Sequence, residues 1–251
     1  MLEKDEALCI RTLDYSETSQ IVTLFTKDHG KIDAMAKGAK RAKSPFGGTI
    51  EIFSCGEIVF TDKGDQKLST LAEFNQRPLF LGLRTRLFSL NCSLFAAELL
   101  DLFTLEYDPH PELFDEMMLY LQNQLESNNQ QQSLAQLISF QLLLLRQIGG
   151  GLVLDHCTNC KMAYNAKWPT VYFSSSSHGL VCRDCEASFA DKVRLDKNAA
   201  EFLATEDTEI KKTYQTQINT DYTDLNKIEK VLIYHFTNLL HRPPKMAVYF
   251  A

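Results

Sequence analysis

The chain has 251 residues, of which 45% are apolar and 23% charged, with only 11 glycines and 7 prolines. This mixture excludes collagen-like, low-complexity and wholly disordered chains, and the length suits two or three modules that need no disulfide staples. The net charge of −6, from 26 basic and 32 acidic side chains, excludes a uniformly basic nucleic-acid binder but leaves room for a local basic surface.

Residues 6–78 read as strands. Ala7–Arg11, Gln20–Thr26 and Lys31–Ala36 are short and separated by turns at Asp14–Ser19 and at Asp28-His29-Gly30. A longer β-branched and aromatic run, Ile50–Thr61, is turned by Asp62-Lys63-Gly64-Asp65 into Lys67–Glu73. Five strands with turn signals between them predict a small antiparallel barrel, either an OB-fold or an SH3-like barrel. From Pro78 the period becomes helical. Leu87, Leu90, Leu94, Glu98 and Leu102 mark one helix, and Pro111 opens a second with Leu113, Met117 and Leu121 on its stripe. After the polar connector Ser127–Gln132, Ser133 is placed to cap a third helix, Leu134–Ile148, which ends at Gly149-Gly150-Gly151. That helix is apolar nearly all round and belongs at the centre of a bundle. Residues 152–185 form a cysteine-bearing insert with a strand at Thr170–Ser174. Two further helices are expected, at Ala187–Ala204 and Asp221–Leu240.

Charge divides unevenly along this order, with −1 in residues 1–80, −5 in 81–150 and zero in 151–251. A polyanion is therefore expected to touch the ends of the chain. The N-terminus, Met1-Leu2-Glu3-Lys4-Asp5-Glu6, is acidic with no apolar run behind it, and Gln136, Gln141, Arg146 and Gln147 interrupt the greasiest stretch. A cytoplasmic protein with no membrane span is expected. Seven cysteines, an odd number, argue against a disulfide framework.

The strongest motif is Cys157-Thr-Asn-Cys160, followed after 21 residues by Cys182-Arg-Asp-Cys185. Two C-x-x-C knuckles bring four thiolates to one tetrahedral Zn²⁺ at about 2.3 Å and leave no open position, so the predicted site is structural. Two redox C-x-x-C pairs are the alternative, and each would need its own activated thiolate. His156 and His178 are read as neighbours and not ligands, and Cys9, Cys55 and Cys92 as packing residues. A second motif is basic: Lys37, Lys40, Arg41 and Lys43 lie within seven residues and run into Ser44-Pro45-Phe46-Gly47-Gly48. Four cations at a strand exit can neutralise phosphates, and Phe46 offers a ring for a base. The bland reading is a solvated loop. Hydrolase, metalloprotease and nucleotide-loop signatures are all missing, so no catalytic residue and no enzyme are expected.

Taken in order, these segments resemble the bacterial recombination mediator family RecO. The resemblance is carried by Asp14-Tyr-Ser-Glu17, Ile21–Thr26, His29-Gly-Lys31, Ala36-Lys-Gly-Ala39, Lys43-Ser-Pro-Phe-Gly47, the two knuckles with Leu154 and Gly179 ahead of them, and the ending Leu240-His-Arg-Pro-Pro-Lys245. Where that family commonly has glycine after the first knuckle, this chain has Lys161, at a side-chain cost in a left-handed turn. A basic residue is usual where Pro45 stands. The resemblance implies an α+β protein: an OB-fold at 1–78, a helical domain at 79–151, a zinc element at 152–190, and C-terminal helices at 191–251 that pack back on the helical domain. It implies a nucleoid-associated, non-enzymatic mediator that binds single- and double-stranded DNA, anneals complementary strands and helps load recombinase. It also implies RecR as a partner, and the acidic, hydrophobic-ended tail of single-strand binding protein as another, docking on the helical domain. Such a tail needs apolar walls and a cation, and Arg84, Arg86 and Arg146 are the only basic residues of 81–150. The competing reading is a zinc-containing interaction adaptor with only incidental DNA contact.

Overall fold

Strand β1 (Leu2–Asp14) is long enough to pair on both sides, and the first unit is built around it. Its first half, Leu2–Leu8, runs antiparallel to β4 (Cys55–Thr61), and its second half, Ala7–Asp14, runs antiparallel to β2 (Gln20–Thr26). A bulge between Cys9 and Arg11 bends the strand from one partner to the other. Strand β3 (Gly30–Ala36) follows β2, and β5 (Ser69–Arg77) pairs antiparallel with β4. A short parallel pairing of β3 with β5, Ala34 opposite Ser69, completes the closed order β1-β2-β3-β5-β4. That parallel closure makes the barrel OB-like and decides between the two barrels left open by periodicity. This computed structural model describes residues 2–61, 68–209 and 221–250, with the backbone alone at 206–209. The predicted Asp62–Asp65 turn and the start of its strand at Lys67 lie outside the described residues.

Three helices follow, α1 (Leu87–Phe103), α2 (Pro111–Glu126) and α3 (Gln130–Gln147). Two compact units result: Met1–Leu87 with Ala97–Leu125, and Phe88–Ala96 with Glu126–Ala251. In the first, Asp101 binds Arg11 at 3.2 Å and Lys31 at 3.3 Å, and Phe25 lies 6.1 Å from Phe114. The Tyr107 hydroxyl bonds Ser69 at 2.9 Å. Gly30 needs to be glycine: its φ is +71°, and a Cβ would collide with the Asp108 backbone.

In the second unit α3 is buried from Ser133 to Leu145, as its all-round apolar sequence demands, and packs on α5 (Tyr222–Leu240). Its cap is not Ser133. Asn129 accepts from Gln132 N at 2.8 Å while Gln132 accepts from Asn128 N at 3.0 Å, a reciprocal cap that starts the helix earlier and takes Ser133 inside. The expected helix at 187–204 is also divided. Strand β6 (Val171–Ser174) pairs with β7 (Gly179–Cys182) and with β8 (Lys192–Leu195), and α4 (Lys197–Glu209) begins only after β8. Lys192-Val-Arg-Leu195 alternates with period two, and pairing with β6 outweighs helical propensity there. Phe95 and Phe88 pack on Phe250, with ring centroids 5.4 and 5.9 Å away.

Between α3 and α5 the buried Glu229 accepts from Gln141 Nε2 at 2.8 Å, and its second oxygen has no hydrogen-bond partner. Burial pushes its carboxyl up to about 8, against the opposing pull of Gln141. A proton held in the folded state above its unfolded pKa stabilises fully below about pH 4.5, and this contribution is lost as pH rises toward 8. Glu229→Gln is therefore expected to match the wild type near pH 4.5 and to exceed it increasingly up to pH 8. The gap should grow by about 1.4 kcal/mol per pH unit crossed, as read by urea denaturation at both ends of that range.

Candidate nucleic-acid interface and metal centre

The basic loop leaves β3 at Ala36 and is pinned to the barrel along its length. Ala39, Phe46 and Ile50 all join the buried barrel cluster with Val22, Leu24 and Ile58. The Gln20 side chain clamps Ile50 from both sides, donating to its carbonyl at 3.1 Å and accepting from its N–H at 3.0 Å. Gln76 Nε2 donates to the Phe46 carbonyl at 2.7 Å. The predicted strand start at Ile50 is thus a loop anchor, and β4 begins at Cys55.

Phe46 is a predicted contact residue that the structure takes out of reach of a base. It is 1% exposed, so its ring faces the barrel core and not a base. Returning it to water would cost roughly 1.5–3 kcal/mol, while stacking on a base yields about 1–3 kcal/mol, so nothing would be gained. Lys37, Arg41 and Lys43 are exposed, whereas Lys40 is only 25% exposed and bonds Asp14 at 2.5 Å. The other ion pairs show what is distinctive here. In the barrel unit Lys4, Arg11, Lys27, Lys31, Lys40, Arg77 and Arg84 each face a carboxylate. Lys37, Arg41 and Lys43 have no carboxylate partner among the described residues. Among the described residues the basic loop therefore offers three cations to a phosphate, and Lys40 serves as a brace.

That brace leads to residues outside the basic motif. Lys40 N donates to Thr18 O at 3.1 Å and Gly38 N to Ser19 Oγ at 3.2 Å, so the basic loop is tied to the Asp14–Ser19 turn between β1 and β2. Tyr15 stands on this turn at 64% exposure. It is absent from the contact residues predicted from sequence, where an aromatic residue inside a turn signal, Asp-Tyr-Ser, is the only hint of it.

The four cysteines meet as predicted. Their sulfurs all lie within 4.8 Å of one another, and Cys160 Sγ is 3.7 Å from Cys182 Sγ. Tetrahedral ligation at about 2.3 Å places sulfurs roughly 3.8 Å apart, so the donor set fits a metal ion. The first knuckle closes through Cys157 N to Met162 O and Lys161 N to Cys157 O, and β7 delivers Cys182. Lys161 sits at φ +62°, the left-handed position where glycine is commoner. Burial raises the Cys157 thiol, but the N–H groups of Cys182, Cys160 and Asn159 overcome this and bring it down to about 6. Crowded thiolates repel, and a dication among them is what would ionise all four. His156 turns away to Asp155 at 2.6 Å, and His178 faces the His235 ring at 5.2 Å. Cys9, Cys55 and Cys92 are buried, and desolvation pushes each thiol up, Cys9 to about 12.

An OB-like barrel, a helical unit and a four-cysteine centre, in that order, define a two-unit protein with an inserted metal-binding element. A family model described as "Recombination protein O N terminal" matches residues 1–77, and another described as "Recombination protein O C terminal" matches residues 84–246. The chain belongs to the recombination protein O family, RecO. It is 37% identical over 182 residues to the DNA repair protein RecO of Rhodopirellula baltica, covering 72% of this chain and 66% of that protein. It is 35% identical over 206 residues to the DNA repair protein RecO of Bacillus subtilis, covering 81% of this chain and 76% of that one. Among the described residues no helix is long and apolar enough to cross a membrane.

Metal analysis of the purified protein is expected to give one ion per chain. Cys182→Ser should lose that ion and lower the melting temperature, with hydrogen exchange rising across 152–190, because metal binding there is folding energy.

Proposed function

We propose that this protein is a non-enzymatic mediator of recombinational DNA repair. It binds single- and double-stranded DNA, anneals complementary strands and helps load recombinase onto strands coated by single-strand binding protein. Family membership supports the repair and recombination role. The observation that carries the DNA contact is the set of three cations without a carboxylate partner among the described residues, Lys37, Arg41 and Lys43, held on an anchored loop of an OB-like barrel. Annealing needs contacts that are weak, blind to sequence and sensitive to salt, and a small exposed cation set provides them. The ion at the cysteine centre is Zn²⁺ in a structural role, since four sulfurs saturate it and leave no place for a reactive water.

RecR and the tail of single-strand binding protein are the protein partners that the family resemblance implies. Support for the tail comes from the second unit. A cavity of about 250 Å³ lies between β8, α4 and α5, walled by Val193, Leu195, Ala199 and Val231. Arg194 and Lys230 stand at it without a carboxylate partner among the described residues, while Lys227 is held by Asp196 at 2.5 Å and Asp224 at 3.1 Å. Apolar walls beside two available cations suit a peptide that ends in apolar side chains and a carboxylate. Of the arginines considered from sequence, Arg84 is paired with Glu51.

Joint reversal of Lys37, Arg41 and Lys43 to Glu is expected to weaken both DNA forms for all sequences. On single strands it should also flatten the dependence of log K on log salt, by about 0.7 for each phosphate that is no longer neutralised. An unchanged slope would transfer the function to the adaptor reading. Lys230→Glu is expected to weaken an acidic, apolar-ended peptide in fluorescence anisotropy while leaving DNA affinity as it was.

A further inference from the structure

We propose that Tyr15 is a base-stacking residue, the ring on which an unstacked base of single-stranded DNA rests while Lys37, Arg41 and Lys43 hold the phosphates. The inference rests on the nucleic-acid reading above and adds to it a contact that charge alone does not supply.

Tyr15 is the only exposed aromatic ring among the described residues of the barrel unit. Its turn is stiff. Tyr15 N and Ser16 N both donate to Ser19 O, at 3.1 and 3.2 Å, and Ser16 Oγ accepts from Ser19 N at 3.1 Å. The same turn is fastened to the basic loop at three points: Asp14 to Lys40 at 2.5 Å, Thr18 O to Lys40 N at 3.1 Å, and Ser19 Oγ to Gly38 N at 3.2 Å. Ring and cations are thus presented on one braced structure, so binding need not first order either of them. The β1–β2 loop belongs to the surface on which OB barrels take oligonucleotides. Asp14, the acid next to Tyr15, is neutralised by Lys40, and Glu17 is the one carboxylate of the turn with no ion pair among the described residues.

Stacking and phosphate neutralisation leave different signatures. A base released from its stack can lie on a ring, whereas a base within a duplex cannot, and stacking displaces no condensed counterions. Tyr15→Ala is expected to weaken a single-stranded oligonucleotide about 5- to 150-fold with an unchanged salt slope, and to leave a blunt duplex within about 2-fold. Tyr15→Phe should bind as the wild type does, because the ring and not the hydroxyl makes the contact. An oligonucleotide of abasic sites should bind wild type and Tyr15→Ala equally. Wild-type affinity in Tyr15→Ala would overturn the stacking assignment alone, as would an equal loss on single strand, duplex and abasic strand. Failure of the wild type to bind any DNA would overturn the nucleic-acid reading and this assignment together.

Discussion

Burial of Phe46 in the barrel core holds the long connection between β3 and β4 in place, with Ala39 and Ile50 as flanking anchors and Gln20 clamping the far end. Without those anchors a stretch rich in lysine and glycine would sample many shapes, and each phosphate contact would be offset by the entropy of ordering it. With them, the cations of residues 37–43 project from a fixed backbone, and the neighbouring β1–β2 turn is braced against the same backbone. The ring that resembles a ligand contact in the sequence is the reason the cations are in position.

The second unit relies on a comparable economy. Strand order β7-β6-β8 links the cysteine centre, through Cys182 at the end of β7, to the strand that walls the cavity beside α4 and α5. The turn between β6 and β7 also reaches α5, where Ser175 meets His235 at 2.8 Å and burial keeps that imidazole neutral, down to about 4. Metal centre, small sheet and helix are therefore one continuous piece of structure, and the element that looks like an insert in the sequence acts as part of the unit's framework.

How far the sequence can be read depends on whether the deciding interaction is local. The knuckles are legible because C-x-x-C spacing is itself the ligand geometry, and α3 because its apolar residues leave no polar face. Gly30 is legible as part of the Asp28-His29-Gly30 turn, whereas the left-handed position of Lys161 is expected only from the family resemblance. Phe46 misleads because its partners, Val22, Leu24, Ile58 and others, are distant in sequence, and nothing local distinguishes a ring held inward from one held outward. Lys40 looks equivalent to Lys37, Arg41 and Lys43 until the fold brings Asp14 beside it across two strands. The barrel type is undecidable for the same reason: the β3–β5 pairing that identifies it joins residues 34 and 69, and periodicity is silent about which strands are neighbours. Strand β8 is the exception. Its alternation is visible, but four residues between helical segments make too weak a signal.

Helix α1 contributes its first turns to one unit and its last to the other, since Phe88–Ala96 belongs with the C-terminal unit and Ala97 onward with the barrel. The barrel is consequently not an excisable piece. A fragment ending near residue 77, where the N-terminal family model stops, would strip Phe25 of Phe114, Lys31 and Arg11 of Asp101, and Ser69 of Tyr107. The segment that such a cut treats as the beginning of the next domain is also the second wall of the first. Family boundaries drawn along the chain and folding boundaries drawn through space do not coincide here, and recombinant shuffling of RecO modules would have to carry residues 97–125 along with the barrel.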